Sequence, residues 1–398
     1  MASNVVKLGF WGVRGSTPTV DRANWRYGGN TPCLELLAPD GTRFILDCGT
    51  GVRMLGKRWI DTYGTKPMEA HVIVTHYHWD HIQGIPFFSP LYSERNRFHF
   101  YSFRSKYLGQ DSLKQVLGTQ MAYPYFPVDL SMVPATREFS EIAGGDQFEI
   151  NGNHITARWL NHPQGCLGFR ITTSAGTVVY ATDNEPGVPE LDESLRQLAA
   201  GADIFINDAQ YTPEQLLTSR KGWGHSSWLE GVKVAQEVGA RNLVLFHHDP
   251  DSSDRIVDLR LRDARQKFAS VWAAAEGLVL TLSEGRVEVA MRNTRTGQRR
   301  ATYFPATVTG YSEDGCAFEE KTIVHDLSLL GAGLHLAHTP RLQSELKVEM
   351  QAPVSETQPD GPISLRGYVV RHQAMPEKHL TAVGILLAEE VDPRLVGE

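Results

Sequence analysis

The stretch Thr75-His76-Tyr77-His78-Trp79-Asp80-His81 constrains this chain more than any other. Three histidines and an aspartate fall within six residues, directly after the apolar run Val72-Ile73-Val74. A lone histidine is usually a core or surface residue, but this density on a loop leaving a buried strand is a ligand pattern. His76 and His78 are placed to face one metal while Asp80 and His81 turn to a second. Imidazole and carboxylate suit zinc first, with manganese and iron also compatible, and the absence of a nearby thiolate leaves a position open to water. Two divalent ions about 3.5–4 Å apart activate a shared water and clamp the oxygens of a displacement, so hydrolysis is the expected reaction.

At 398 residues the chain exceeds one typical core, which favours two domains. The N-terminus has no basic stretch followed by an apolar run of signal-peptide length. No later run reaches the roughly 18 apolar residues that span a bilayer. The protein is therefore read as cytoplasmic, with no membrane partner. Cys33, Cys48, Cys166 and Cys316 are scattered without paired spacing, so neither a disulfide framework nor a cysteine zinc cluster is indicated. A formal charge of −7 disfavours a large nucleic acid held through its phosphates and leaves room for a small phosphorylated ligand.

Up to about residue 285, apolar runs end in polar residues: Thr177-Val178-Val179-Tyr180 before Thr182-Asp183, Ile204-Phe205-Ile206 before Asn207-Asp208, and Leu243-Val244-Leu245-Phe246 before His247. Helical patterns lie between them, at 190–200 and at 227–240, the second opening on Ser226-Ser227 as a candidate cap. This is the pattern of a layered α/β protein whose site gathers at strand ends. From Arg286 onward the pattern changes to short strands, Arg286–Ala290, Ala306–Val308, Leu346–Met350, Gly367–Val370 and Ala382–Leu387, separated by turns such as Asp314-Gly315. That predicts a small β-barrel. The expected domains are residues 1–285 and 291–398.

Over residues 7 to about 280 the motifs resemble the metallo-β-lactamase superfamily, in that family's order. Asp47 in Leu46-Asp47-Cys48-Gly49-Thr50-Gly51 matches the early strand-end aspartate that holds the metal loop. His162 in Leu160-Asn161-His162-Pro163, Asp183 in Thr182-Asp183, and His247 in Phe246-His247-His248 match the later ligands. The resemblance implies a four-layer αββα sandwich in which His76, His78 and His162 hold one metal, Asp80, His81 and His247 the other, and Asp183 bridges. His248 is the adjacent alternative to His247. Gly222-Trp223-Gly224-His225-Ser226 resembles the Gly-His-Ser-Thr motif of the ribonuclease Z and cyclic-nucleotide phosphodiesterase branch, which implies His225 as general acid or phosphate-charge stabiliser. Asp208, at its own strand end, is placed to orient that imidazole. Asp80, His225 and Asp208 are thus assigned to catalysis.

Gly12-Val13-Arg14-Gly15-Ser16-Thr17-Pro18 and Tyr27-Gly28-Gly29-Asn30-Thr31-Pro32-Cys33 are similar to the openings of the same branch, with Arg14 and Asn30 as candidate substrate contacts. The space between Pro86 and Pro127, where a ribonuclease Z carries its flexible basic arm, is here aromatic and compact, and Tyr123-Pro124-Tyr125-Phe126-Pro127 reads as a packed lid or a stacking surface.

In the tail, Asp326-Leu327-Ser328-Leu329-Leu330-Gly331 resembles the Asp-x-Ser-x-x-Gly motif of PilZ domains, barrels that bind cyclic di-GMP. The resemblance implies Arg295, Arg299 and Arg300 with Asp326, Ser328 and Gly331 as the nucleotide site, since paired arginines fork onto phosphates. One departure is Tyr303, which stands at a usual arginine position when Arg299-Arg300 is aligned on the first strand. The expected function is a two-metal phosphodiesterase for a cyclic or small nucleotide, regulated through its barrel by cyclic di-GMP. The alternatives are an RNA-processing nuclease, a signalling receptor whose metallohydrolase half is a scaffold, and a hydrolase acting on a thioester or lactam.

Overall fold

The computed structural model describes residues 4–291, 300–328, 331–351, 362–388 and 391. The chain divides into two compact units, Met1–Glu288 and Val289–Glu398.

The first unit is built on two mixed sheets. The eight-stranded sheet runs, in spatial order, Arg286–Met291, Leu278–Ser283, Val6–Gly12, Cys33–Leu37, Arg43–Leu46, Glu69–Ile73, Arg97–Phe103 and Thr136–Ile142. The seven-stranded sheet runs Val271–Ala273, Leu243–Phe246, Ile204–Asp208, Gly176–Ala181, Cys166–Thr173, Asn153–Leu160 and Gln147–Ile150. Apolar side chains fill the space between them, where the rings of Phe10 and Phe246 and those of Tyr101 and Phe148 meet. Helix Gly51–Tyr63 covers the outer face of the first sheet, placing Val52, Leu55 and Trp59 among Val72, Phe98 and Phe100. Helices Pro189–Ala199, Trp228–Glu237 and Asp254–Lys267 cover the second. This is the αββα layering expected from the sequence. Ser227 caps its helix as expected, its side chain accepting from the Glu230 amide at 3.4 Å.

Within each sheet a parallel block points its carboxyl ends the same way: Arg43–Leu46 and Glu69–Ile73 in the first, Gly176–Ala181, Ile204–Asp208 and Leu243–Phe246 in the second. Loops leaving that rim are where a rigid base presents reactive side chains. Three of these exits turn on a non-glycine residue in the left-handed region: Asp47 (φ 58°), Asp183 (φ 54°) and His247 (φ 59°). Aspartate and histidine tolerate that conformation better than most residues, and holding it costs roughly 1–3 kcal/mol each.

One segment departs from the sequence reading. The strand Arg286–Met291, expected in the barrel, is the edge of the eight-stranded sheet, paired beside Leu278–Ser283. Its exposure alternates along the strand, as an edge facing water on one side does. The space between Pro86 and Pro127, read as aromatic and compact, contains the sheet strand Arg97–Phe103 and the helix Ser112–Gln120. In the run Tyr123–Pro127 that follows them, Tyr123 and Tyr125 are exposed.

The second unit contains a closed antiparallel barrel, in the order Arg300–Tyr311, Ala317–Ser328, Gly331–Leu336, Leu380–Leu387, Ile363–Met375 and Glu345–Met350, the last pairing with the first. Val308, Val324, Leu334, Val348, Val369 and Ile385 are buried in it. Closure removes the exposed edges that invite association.

Candidate active site

The rim of the sandwich gathers every ligand-type residue singled out in the sequence. His76, His78 and His162 form one group and Asp80, His81 and His247 another, each with ligand atoms within 4.8 Å of one another. Asp183 stands between them. Its Oδ1 lies 3.8 Å from His76 Nε2 and 3.9 Å from His162 Nε2, while Oδ2 lies 3.3 Å from His81 Nε2 and 3.4 Å from His247 Nε2. Each carboxylate oxygen thus faces a different histidine set, as a bridging ligand requires.

The imidazoles are aimed by partners behind them. His81 Nδ1 meets Asp47 Oδ2 at 2.8 Å, His247 Nδ1 meets Gln210 Oε1 at 2.8 Å, His162 Nδ1 donates to the Gly224 carbonyl at 2.7 Å, and His76 Nδ1 meets Thr75 Oγ1 at 3.1 Å. Each therefore turns Nε2 inward. Such outer partners set the tautomer and raise ligand basicity. Asp47 is the hub: fully buried, it accepts from the Thr75 amide and hydroxyl and from the Tyr180 hydroxyl as well as from His81.

The consequence is a cluster of inward imidazole nitrogens. His81 Nε2 and His247 Nε2 lie 3.3 Å apart with both Nδ1 atoms already engaged, and His162 Nε2 lies 3.0 Å from His78 Nδ1. His76 Nε2 is buried without a hydrogen-bond partner among the described residues. Burial, and then His81, hold the His76 imidazole well below its usual range and keep it neutral. For Asp183, burial is outweighed by His247, His81 and His76, which hold its carboxyl well below the usual carboxylate range. At His81, burial is outweighed by Asp80, Asp183 and Asp47, which raise its pKa well above the usual range, so that ring holds a proton where a cation would take its place. Inward imidazole nitrogens around an ionised carboxylate fit a pair of divalent cations, which would give the orphaned His76 nitrogen a partner.

Beside this cluster stands His225. Its ring stacks on His247 with centroids 5.0 Å apart, and its Nδ1 meets Asp208 Oδ2 at 2.8 Å. Asp208 Oδ1 is fixed in turn by the amides of Gln210 and Ser226, each at 3.0 Å. Burial lowers the His225 pKa, but Asp208, then Asp183 and Asp80, outweigh it and raise it to about 9.

Two expected contacts are absent from the site. Arg14 is fully buried and pinned to carbonyls, Nε donating to Gly28 O at 2.8 Å and Nη1 to Ser252 O at 2.6 Å and Asp249 O at 3.1 Å. Asn30 binds Glu276 through its amide nitrogen and side chain at 2.6 and 2.9 Å. Both tie the N-terminal turns to the body of the sandwich. His248 turns away too, its Nε2 meeting the Ala274 carbonyl at 2.9 Å.

The sequence reading overlooked Ser16, whose amide donates to Asp80 Oδ2 at 2.7 Å, and Gln210, Thr75, Tyr180 and Thr182, the last donating to Asp183 Oδ2 at 2.6 Å. A signal existed for two of them: Thr75 and Thr182 each immediately precede a ligand-type residue. In the barrel, Asp326 and Ser328 lie near the end of one strand and Gly331 opens the next, with Ser328 paired to Gly331. Arg295 and Arg299 lie outside the described residues, as does the side chain of Arg300.

Residues 42–248 match the profile of a beta-lactamase superfamily domain. Ribonuclease Z of Haloarcula marismortui is 24% identical over 337 residues, covering 71% of this chain and 97% of its own. Among solved structures, the metallo-beta-lactamase fold protein YhfI of Bacillus subtilis aligns with a TM-score of 0.51 at 20% identity over 70% of this chain and all of its own. A diphosphatase of the PhnP family aligns with a TM-score of 0.50 at 20% identity, over 70% of this chain and 98% of its own. A relative named for cutting RNA removes the force of the expectation that net charge excludes a large nucleic acid, because charge summed over a chain does not say where it lies. Among the described residues no helix is long and apolar enough to cross a membrane. With the αββα layering, the ligand cluster at its rim and a profile match over more than half its length, the chain belongs to the metallo-β-lactamase superfamily and is a metal-dependent hydrolase of that fold.

Proposed function

We propose that this centre hydrolyses a phosphodiester in a small nucleotide, cyclic ones included. The observation that carries the reading is His225, locked by Asp208 and stacked against the histidines around Asp183. His76, His78, His162 and Asp183 would hold one divalent ion, and Asp80, His81, His247 and Asp183 the other. Such a pair supplies Lewis acidity that makes water nucleophilic near neutral pH and offsets charge on the phosphoryl oxygens. The chain's own contribution is a proton. Asp208 keeps Nδ1 of His225 protonated and oriented, leaving Nε2 to protonate the departing alkoxide.

A phosphate rather than a thioester or lactam is favoured by Arg220. Its guanidinium lies 4.3 Å over the Trp223 ring and 5.8 Å over that of Tyr211, and it has no carboxylate partner among the described residues. Tyr211 packs edge-on against His225, with centroids 5.8 Å apart. A cation with no carboxylate partner among the described residues therefore shares the Tyr211 ring as a neighbour with the proposed acid, and it lies over an exposed indole suited to stacking on a base.

We also propose that the barrel is a PilZ-like module that binds cyclic di-GMP through Asp326, Ser328 and Gly331, with Arg295, Arg299 and Arg300. Support comes from the closed six-strand topology and the strand-to-strand motif. A Cβ on Gly333 would fall 2.4 Å from the Asp326 carboxylate, so a glycine opposite Asp326 gives that side chain its room.

The test is a screen of an aryl phosphodiester and of linear and cyclic nucleotides on zinc-loaded protein, with and without cyclic di-GMP. Asp183→Ala should abolish turnover and lower metal content; turnover with unchanged metal sinks the two-ion assignment. Asp326→Ala with Ser328→Ala should remove cyclic di-GMP binding by calorimetry, and no binding by the unmodified protein ends that part. The reading as an RNA-processing nuclease has the ribonuclease Z relative in its favour. Salt-sensitive cleavage of structured RNA, without turnover of small nucleotides, would establish it instead.

A further inference from the structure

The strands Glu69–Ile73, Arg97–Phe103 and Thr136–Ile142 run parallel and carry a second cluster of metal-ligating side chains near their beginnings. His71 is in register with His99, and His99 with Glu138. The roughly 4.8 Å spacing of neighbouring strands stacks the two imidazoles, with centroids 4.8 Å apart and planes 15° from parallel. His76 lies past the carboxyl end of this strand, which closes at Ile73, and the two groups of ligand-type residues share no member. This cluster is therefore distinct from the hydrolytic centre.

His99 is held at both ring nitrogens and His71 at one. His99 Nδ1 meets Glu138 Oε2 at 3.1 Å while its Nε2 meets Glu69 Oε1 at 2.8 Å. His71 Nδ1 meets the Tyr101 hydroxyl at 3.2 Å, and its other ring nitrogen has no hydrogen-bond partner among the described residues. His71 and Glu69 line a cleft of about 460 Å³ together with Asp40, Thr42, Arg43 and Asn151. An ion-pair ladder accounts for His99 between two glutamates. It does not account for the imidazole stacked on His99, which lines the cleft and has one ring nitrogen unpaired among the described residues. Burial, and then His99, push His71 down to about 4, so it is a neutral ring at physiological pH.

We propose that Glu69, His71 and His99 form a further metal site that takes a borderline divalent ion, zinc being the natural probe. His71 and His99 would bind through Nε2, with Tyr101 and Glu138 fixing their Nδ1 protons, and Glu69 would give a carboxylate oxygen. Carboxylate–histidine–metal chains of this kind orient ligands elsewhere. The three ligand atoms already lie within 4.8 Å of one another. Glu69 is 60% exposed and free to swing inward to close the set, and the cleft leaves the remaining positions to water.

The experiment is equilibrium dialysis of the full chain against micromolar zinc, followed by elemental analysis of native protein, His99→Gln and Glu69→Gln. Both substitutions lie at partly exposed side chains and should leave folding and phosphodiester turnover unchanged. Each variant should retain one zinc equivalent fewer than native protein. Asp183→Ala, which disrupts the other centre, should keep that equivalent, so the two sites fail separately. Equal zinc content in native protein and either of the first two variants overturns the proposal.

Discussion

His225 is where chemistry and geometry meet most closely. Replacing it with alanine should lower kcat by about 10²–10⁴ with metal content unchanged, as removal of a general acid does; elemental analysis beside steady-state kinetics checks both halves. Asp208→Asn tests orientation and charge together. Asp208 raises the His225 pKa, and the protonated form is the acid, so its loss should move the alkaline limb of the kcat profile to lower pH. Gln210→Ala should weaken binding of the ion at His247 by about 10–100-fold, measured by competition with a chelator. Ligand-type residues were legible in the sequence because their chemistry lies in residue type and spacing. Arg14 was not, since a Gly-Val-Arg-Gly turn reads the same whether its guanidinium meets a phosphate or, as here, three backbone carbonyls. Gln210 was invisible because an amide two positions beyond a strand end has no signature until the fold brings His247 beside it.

Among the elements, the strand-exit turns carry the most consequence. Asp47 holds the His76–His81 loop through Thr75 and His81 and reaches the other sheet through Tyr180. Asp47→Ala leaves several buried polar groups without partners, at about 1–3 kcal/mol apiece, so a pronounced fall in Tm together with lost metal is expected by thermal unfolding. Arg14→Met should likewise lower stability by about 3–5 kcal/mol, because three carbonyls and Asp254 lose a buried charge, while KM for any turned-over substrate stays unchanged. A raised KM would return Arg14 to the substrate. Periodicity identified buried strands of the parallel blocks but left Arg97–Phe103 unassigned, because an arginine, a histidine and a serine interrupt its apolar run. It also assigned Arg286–Met291 to the barrel, since an edge strand and a barrel strand share the same two-residue alternation.

At the scale of the molecule, each unit has its own buried core. A chain ending at Met291 keeps the edge strand of the eight-stranded sheet and should unfold in one cooperative transition, with native metal content at the hydrolytic centre and undiminished turnover of an aryl phosphodiester. A broad, non-cooperative melt would show that the first unit depends on the second. The left-handed corners at Asp47, Asp183 and His247 bear on descent as well. Asparagine and glycine are the residues most at ease in that backbone conformation, and aspartate becomes either by one nucleotide change. At Asp183 such a change would strip the carboxylate charge from between the two histidine sets while keeping the corner. A lineage of this architecture therefore lies one mutational step from an inert, well-folded descendant, available for duties such as sensing that need the scaffold and not the reaction.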